Sequence, residues 1–148
     1  MIARIHHVAI LTSNMEDAIM HFSMLLGCSS PRVFQADSPG LKFRSAMLPI
    51  GTSGETYLQF IEPSEGPGAE ELSHDGEGRL FEVGFQVDDI EDFYERMVAK
   101  GIFPVDIKGQ PIESKFIVSK FGNRYFFLPK DKTRGTRVEV VQVMGTGK

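Results

Sequence analysis

The sequence predicts an α+β fold: two tandem βαβββ modules whose curved, mixed sheets enclose a central cleft. Phe81, Val83, Phe85 and Val87 alternate with Glu82, Gly84 and Gln86, the period of a half-buried strand, and a helix signal follows at once. The chain has written this text before. Ile5–Asp17 laid over the later copy puts His7 on Glu82, Asn14 on Asp89 and Asp17 on Asp92, each 75 residues apart (82 − 7 = 75). Tyr57–Glu62 and Arg137–Gln142 match at a second spacing of 80 (139 − 59 = 80). Self-similarity of this kind marks a repeated supersecondary unit.

Taken in order, residues 2–11 read as a strand with Ile5, His7, Ala9 and Leu11 on one face. A helix from about Met15 to Leu26 carries Ala18, Phe22, Leu25 and Leu26 along one side and stops at Gly27. Residues 32–35 form a short strand, 37–40 a turn, 41–48 a strand, 51–54 a turn and 56–61 the fourth strand. From 64 to 79 Gly, Pro, Ser and acidic residues follow no period, which predicts a linker between module one (about 2–63) and module two (about 80–143). In module two Asp88 and Asp89 offer cap side chains, Phe93, Met97 and Val98 form the apolar stripe, and Gly101 closes the helix. Weak strands at 103–105 and 112–118, a turn at 121–123, and strands at 125–128 and 136–143 joined by a polar loop complete it. The tail 145–148 is loose. Together the modules make one domain, 1–148.

Bulk composition narrows the function classes. An apolar fraction of 41% supports a packed interior and 24% charged residues suits a solvated surface. A net charge of −4 leaves no basic face, so nucleic acid is not an expected partner. No apolar run is long enough to span a bilayer and no charged leader precedes one, so no membrane association is expected. A single cysteine, Cys28, cannot form an internal disulfide, which points to a reducing cytoplasm.

The chemistry lies in the polar residues of the repeated strands. Phe81, Val83, Phe85 and Val87 cover the helix, so Glu82 points the other way; the same parity turns His7, Gln59 and Glu139 away from the helices. Singly, each is explained by a solvated strand face. Their coincidence at repeat-equivalent positions is what points to a metal: imidazole nitrogen with carboxylate and amide oxygens suits zinc, iron, nickel, cobalt or manganese. Two carboxylates beside a neutral His and Gln balance one divalent cation. The expected ligands are therefore His7, Gln59, Glu82 and Glu139.

The segments Ile5–Ile10, Leu58–Pro63, Val87–Glu91 and Pro129–Val140 resemble the vicinal oxygen chelate superfamily, which includes glyoxalase I, methylmalonyl-CoA epimerase, extradiol dioxygenases and the bleomycin and fosfomycin resistance proteins. The resemblance covers nearly the whole chain and is closest in flavour to the epimerase and glyoxalase I. Carried over by position, it implies that His7, Gln59 and Glu139 are metal ligands, while Glu82 stands where the epimerase pattern has a histidine. The epimerase's carboxylate on a middle strand has no counterpart here, where Lys42, Phe43, Arg44 and Ser45 stand. The resemblance implies a divalent-metal-dependent isomerase or lyase, glyoxalase I-like or acyl-CoA epimerase-like. Such an enzyme removes a proton next to a carbonyl through a metal-bound enediolate. Its substrate is a small molecule with vicinal oxygens, Glu139 or Glu82 acts as the base, and Lys42, Arg44 or Lys130 attracts an anionic substrate. It further implies a homodimer. An extradiol-type dioxygenase and a metal-free binding or resistance protein are the alternatives. One His with two carboxylates departs from the two-His-one-carboxylate set that suits oxygen-activating iron.

Overall fold

The computed structural model describes residues 1–28, 31–52 and 55–145. In chain order its elements are β1 (Ile2–Leu11), α1 (Met15–Leu26), β2 (Arg32–Ser38), β3 (Leu41–Ile50), β4 (Thr56–Glu65), α2 (Pro67–Asp75), β5 (Leu80–Val87), α3 (Ile90–Ala99), β6 (Ile117–Val118), β7 (Arg124–Phe127), a 3-10 turn at Lys130–Lys132 and β8 (Val138–Gln142). This is the α+β class expected from the pattern. The chain divides into two compact units, His7–Phe81 and Met1–His6 with Glu82–Lys148. Both cuts fall inside strands, between His6 and His7 in β1 and between Phe81 and Glu82 in β5.

In the unit His7–Phe81 the strands are hydrogen-bonded in the order β2-β3-β4-β1, with β1 parallel to β4 and the other pairs antiparallel. Alternation sends Ile10, Ala46, Leu48, Leu58 and Phe60 to one side, where they pack with Met15, Ala18, Ile19 and Phe22 of α1. The Asn14 side chain accepts the Asp17 N–H at 3.0 Å and so caps α1. Gly27, at φ 67°, ends the helix with its N–H donated to the Ser23 carbonyl at 2.9 Å.

The stretch expected to be an irregular linker is more ordered than its composition suggests. β4 runs on to Glu65 and the nine-residue helix α2 follows, with Pro67 in its first turn where a missing N–H costs nothing. Two glycines make this possible. A Cβ on Gly66 (φ 104°) would lie 2.7 Å from the Gly40 carbonyl oxygen, and one on Gly68 would press on Pro63, Phe81 and Leu11 at 3.2–3.5 Å. Because α2 makes its close approach through a glycine, no apolar stripe betrays it.

In the other unit the strands are hydrogen-bonded in the order β5-β8-β7-β6, with β5 parallel to β8. Ile90, Phe93 and Tyr94 of α3 pack on Val87, Phe126 and Val140. Asp89 caps α3, accepting the N–H groups of Glu91 and Asp92 at 3.0 Å each, and Gly101 follows it at φ 75°. The expected strand at 103–105 is reduced to bridges from Val105 to Pro111 and Phe127, and that at 112–118 to Ile117–Val118. Pro104 and Pro111 carry no N–H to extend a ladder. The two repeat spacings meet in the parallel ladders: Ala9 pairs with Gln59 and Gly84 with Glu139, and offsets of 75 (84 − 9) and 80 (139 − 59) carry one rung onto the other. The expected turn at 51–54 runs into positions 53 and 54 and the expected loose tail into 146–148, all outside the described residues.

Candidate functional site

Glu82 lies on β5 and Glu139 on the neighbouring parallel strand β8, where Glu139 pairs with Gly84 two residues beyond Glu82. Val87 and Val140 face α3, so the period of two places both carboxylates on the opposite face. Glu82 is 5% exposed and Glu139 half-buried. Phe127 of β7 pairs with Glu139, and Tyr125, paired with Val141, stands on that same face. The Tyr125 and Phe127 rings meet edge to face, with centroids 6.0 Å apart. Burial first, then the negative charges of Glu139, Glu82 and Asp106, push the Tyr125 hydroxyl up to about 12, so it remains an O–H donor at neutral pH.

His7, 4% exposed, directly follows His6 along β1, and one ligating atom from each of His7, Glu82 and Glu139 lies within 4.8 Å of the other two. His7 Nε2 and Glu82 Oε2 are closed off from solvent. In the His7–Phe81 unit, His7 pairs with Tyr57 and Ala9 with Gln59, so His7 and Gln59 share a face opposite Ile10, Leu58 and Phe60. Gln59 Nε2 donates to Ser45 Oγ at 2.7 Å, and both residues are buried. That bond fixes the amide and leaves its carbonyl oxygen as the group available to a ligand.

The donor set fits a divalent cation. Ligand bonds of about 2.0–2.2 Å make a coordination sphere roughly 4 Å across, close to the spread of the three atoms. One imidazole nitrogen and two carboxylate oxygens are the donors zinc, iron, manganese, cobalt and nickel accept. A buried and a half-buried carboxylate on adjacent strands repel unless a cation lies between them.

The three cations expected near the substrate fare differently. Arg44 pairs in the ladder with Glu62 on the face that packs α1, and its guanidinium binds Glu62 Oε1 at 3.1 Å and Glu16 Oε1 at 2.7 Å. Glu62, then Glu16, hold Arg44 firmly protonated. It is a brace between β3, β4 and α1, on the side away from Gln59. Lys42 is half-exposed and ion-paired with Glu65 at 3.5 Å. Lys130 lines a cavity of about 200 Å³ together with Phe127 and Arg137. Tyr125, Ser45 and Arg137 were not singled out by the sequence. Only strand parity signals Tyr125, and it does not distinguish a site residue from any other on that face.

Residues 6–116 match the model of the Glyoxalase/Bleomycin resistance protein/Dioxygenase superfamily, and the chain belongs to that superfamily. No curated protein sequence matches it significantly. Among solved structures it is similar to methylmalonyl-CoA epimerase from Mycobacterium tuberculosis, with 20% identity, a TM-score of 0.81 and coverage of 97% of this chain and 90% of that one. It is similar also to a variant of Streptomyces coelicolor methylmalonyl-CoA epimerase in complex with 2-nitronate-propionyl-CoA, at 19% identity and a TM-score of 0.73, covering 98% and 100%. A hypothetical protein from Bacillus halodurans is alike at 21% identity and a TM-score of 0.72, covering 98% and 97%. At these identities the likeness establishes the fold.

Proposed function

We propose that this protein is a divalent-metal-dependent isomerase or lyase that removes a proton next to a carbonyl, in the manner of glyoxalase I or an acyl-CoA epimerase. The observation that carries the reading is the His7, Glu82 and Glu139 group on the face turned away from the helices. His7, Glu82 and Glu139 would hold the ion, with Gln59 as a fourth ligand through its carbonyl oxygen. A divalent ion there supplies Lewis-acid stabilisation of the negative charge that develops on the substrate's vicinal oxygens. Glu139, the less buried of the two carboxylates, is the one placed to take the proton, while Glu82 stays committed to the ion. Tyr125 offers a neutral O–H donor on the same face. The similarity to epimerases, one of them bound to an acyl-CoA analogue, favours a small acyl substrate. The His-and-two-carboxylate set weighs against an oxygen-activating iron centre.

The remaining expectations belong to this reading. The chain acts as one domain and as a homodimer in the cytoplasm, consistent with its single cysteine. Among the described residues no helix is long and apolar enough to cross a membrane.

The test is metal content by plasma mass spectrometry on untagged protein as purified, beside Glu82→Ala and Glu139→Ala. Near-stoichiometric metal in the wild type and its loss in both variants is expected. Deuterium uptake from heavy water is then measured with 2-oxoaldehyde thiol adducts and acyl-CoA epimers. A wild type that stays metal-free after incubation with zinc, nickel, cobalt, manganese and iron would falsify the reading.

A further inference from the structure

The loop that leads into β8 is ordered by its own hydrogen bonds. Lys132 donates to the Pro129 carbonyl at 2.9 Å, Gly135 to Lys130 at 2.8 Å and Thr136 to Thr133 at 3.1 Å, and the Thr133 hydroxyl donates to the Thr136 carbonyl. Arg134 (φ 58°) and Gly135 (φ 86°) take left-handed conformations in succession and turn the chain back to Arg137. In the same unit Asp106 closes a second turn by accepting the N–H groups of Lys108 and Gln110, each at 2.9 Å. Val105 and Phe127 exchange backbone hydrogen bonds at 2.9 Å in both directions.

Residues of both turns line the cavity of about 200 Å³. Val105, Ile107, Phe127, Leu128 and Pro129 make much of its wall apolar. Of the charged residues that line it, Asp106 has a carboxylate oxygen taken by the Lys108 and Gln110 N–H groups, Lys130 and Asp131 are exposed, and Arg137, 7% exposed, is the deeply buried one. A volume several times the roughly 30 Å³ of a liquid water takes a carboxylate or phosphate on a short carbon stem. A guanidinium presents five N–H donors in a fork that matches such oxyanions, enough to serve a ligand beside a protein partner. The cavity also adjoins the carboxylate site. Phe127 pairs with Glu139, and Arg137 precedes Glu139 by two residues, on the same side of the chain and about 7 Å along it.

We infer that this cavity binds an oxyanion, a carboxylate or a phosphate carried by the substrate, with Arg137 as its counter-charge and Lys130 at its rim. The link to the reacting group rests on the proton-abstraction reading above; the anion site itself does not. It selects substrates with a negative group a short reach from the carbonyl, and it leaves the metal site to the vicinal oxygens.

Inorganic phosphate and succinate are titrated into the full-length protein, as purified and again after dialysis against a chelator. Binding is followed by ¹H–¹⁵N shifts of the Gly109, Lys130, Asp131 and Arg137 amides. Saturable shifts at those residues in both preparations are expected. Arg137→Gln then weakens the better probe about tenfold or more, and Arg137→Lys recovers part of the loss. Tighter phosphate assigns a phosphorylated substrate, tighter succinate a carboxylic one. No saturable shift with either probe, shifts elsewhere on the wild-type protein, or Arg137→Gln binding as wild type overturns the inference. The wild-type shift map decides the matter even if Arg137→Gln fails to fold. Binding after chelation separates this result from a failure of the metal reading.

Discussion

At the scale of single residues, the two glutamates lie on adjacent strands but differ in burial, and the proposed function gives them different roles on that ground. Glu139→Gln keeps an oxygen donor and the shape of the side chain while removing the proposed base. Its expected outcome is retained metal with deuterium exchange slowed about 10²–10⁴-fold. Glu82→His introduces the residue that the epimerase-like pattern carries there, and metal binding is expected to survive it, since imidazole replaces one oxygen donor by a nitrogen. Metal analysis beside isotope exchange on the two variants checks both; exchange at the wild-type rate in Glu139→Gln would remove it from the base role. The strand face that carries His7, Gln59, Glu82 and Glu139 was legible because each is a polar residue in an apolar strand at a repeat-equivalent position; their role as ligands belongs to the proposed function. The ion pairs of Arg44 were not legible, because a cation in a strand announces no partner. Glu62 and Glu16, which hold it, are 18 and 28 residues away in the chain.

At the scale of elements, the helices with side-chain caps were readable, though Leu25 and Leu26 of the expected α1 stripe are exposed, and the pieces held by acid side chains were not readable. Glu77 lies in what read as a linker, yet its carboxylate takes the Thr12 hydroxyl and the Ser13 N–H, the latter at 2.8 Å, and so pins the junction between β1 and α1. The Thr12 hydroxyl chiefly, with Ser13 behind it, holds the Glu77 carboxyl below the usual carboxylate range. A carboxylate depressed on folding adds stability above its unfolded pKa and loses it as pH falls through the folded one. Glu77→Gln should therefore melt below the wild type at neutral pH, with the gap closing in acid below the carboxylate range. Thermal melts of the pair across that range check the sign; a gap independent of pH would assign Glu77 a purely steric role. The α3 face offers a larger effect. Phe126, wholly buried against Phe93 and Tyr94, should cost about 3–5 kcal/mol when cut to Ala, read as a drop in denaturation midpoint.

For the whole molecule, the α+β class was legible from apolar alternation and helix signals, whereas α2 was not, lying in the stretch that read as a linker. Register is what the sequence could not supply. That Ala9 meets Gln59 and Gly84 meets Glu139 depends on parallel contacts across about fifty residues of chain, and no local pattern encodes those. Both cuts between the units fall inside strands, one in β1 and one in β5. Unfolding should accordingly be one cooperative transition, with far-UV and near-UV probes coincident. On the proposed function, metal acts on that transition as a ligand of the native state. At a hundred times its dissociation constant the ion adds about 2.7 kcal/mol to stability, provided the unfolded chain does not bind it. Wild-type protein should show a melting temperature that climbs with added metal and falls on chelation, while Glu82→Ala and His7→Ala stay flat across the same titration. Two separated transitions would show that the units fold independently. A metal-induced rise of equal size in both variants would place the ion away from His7 and Glu82.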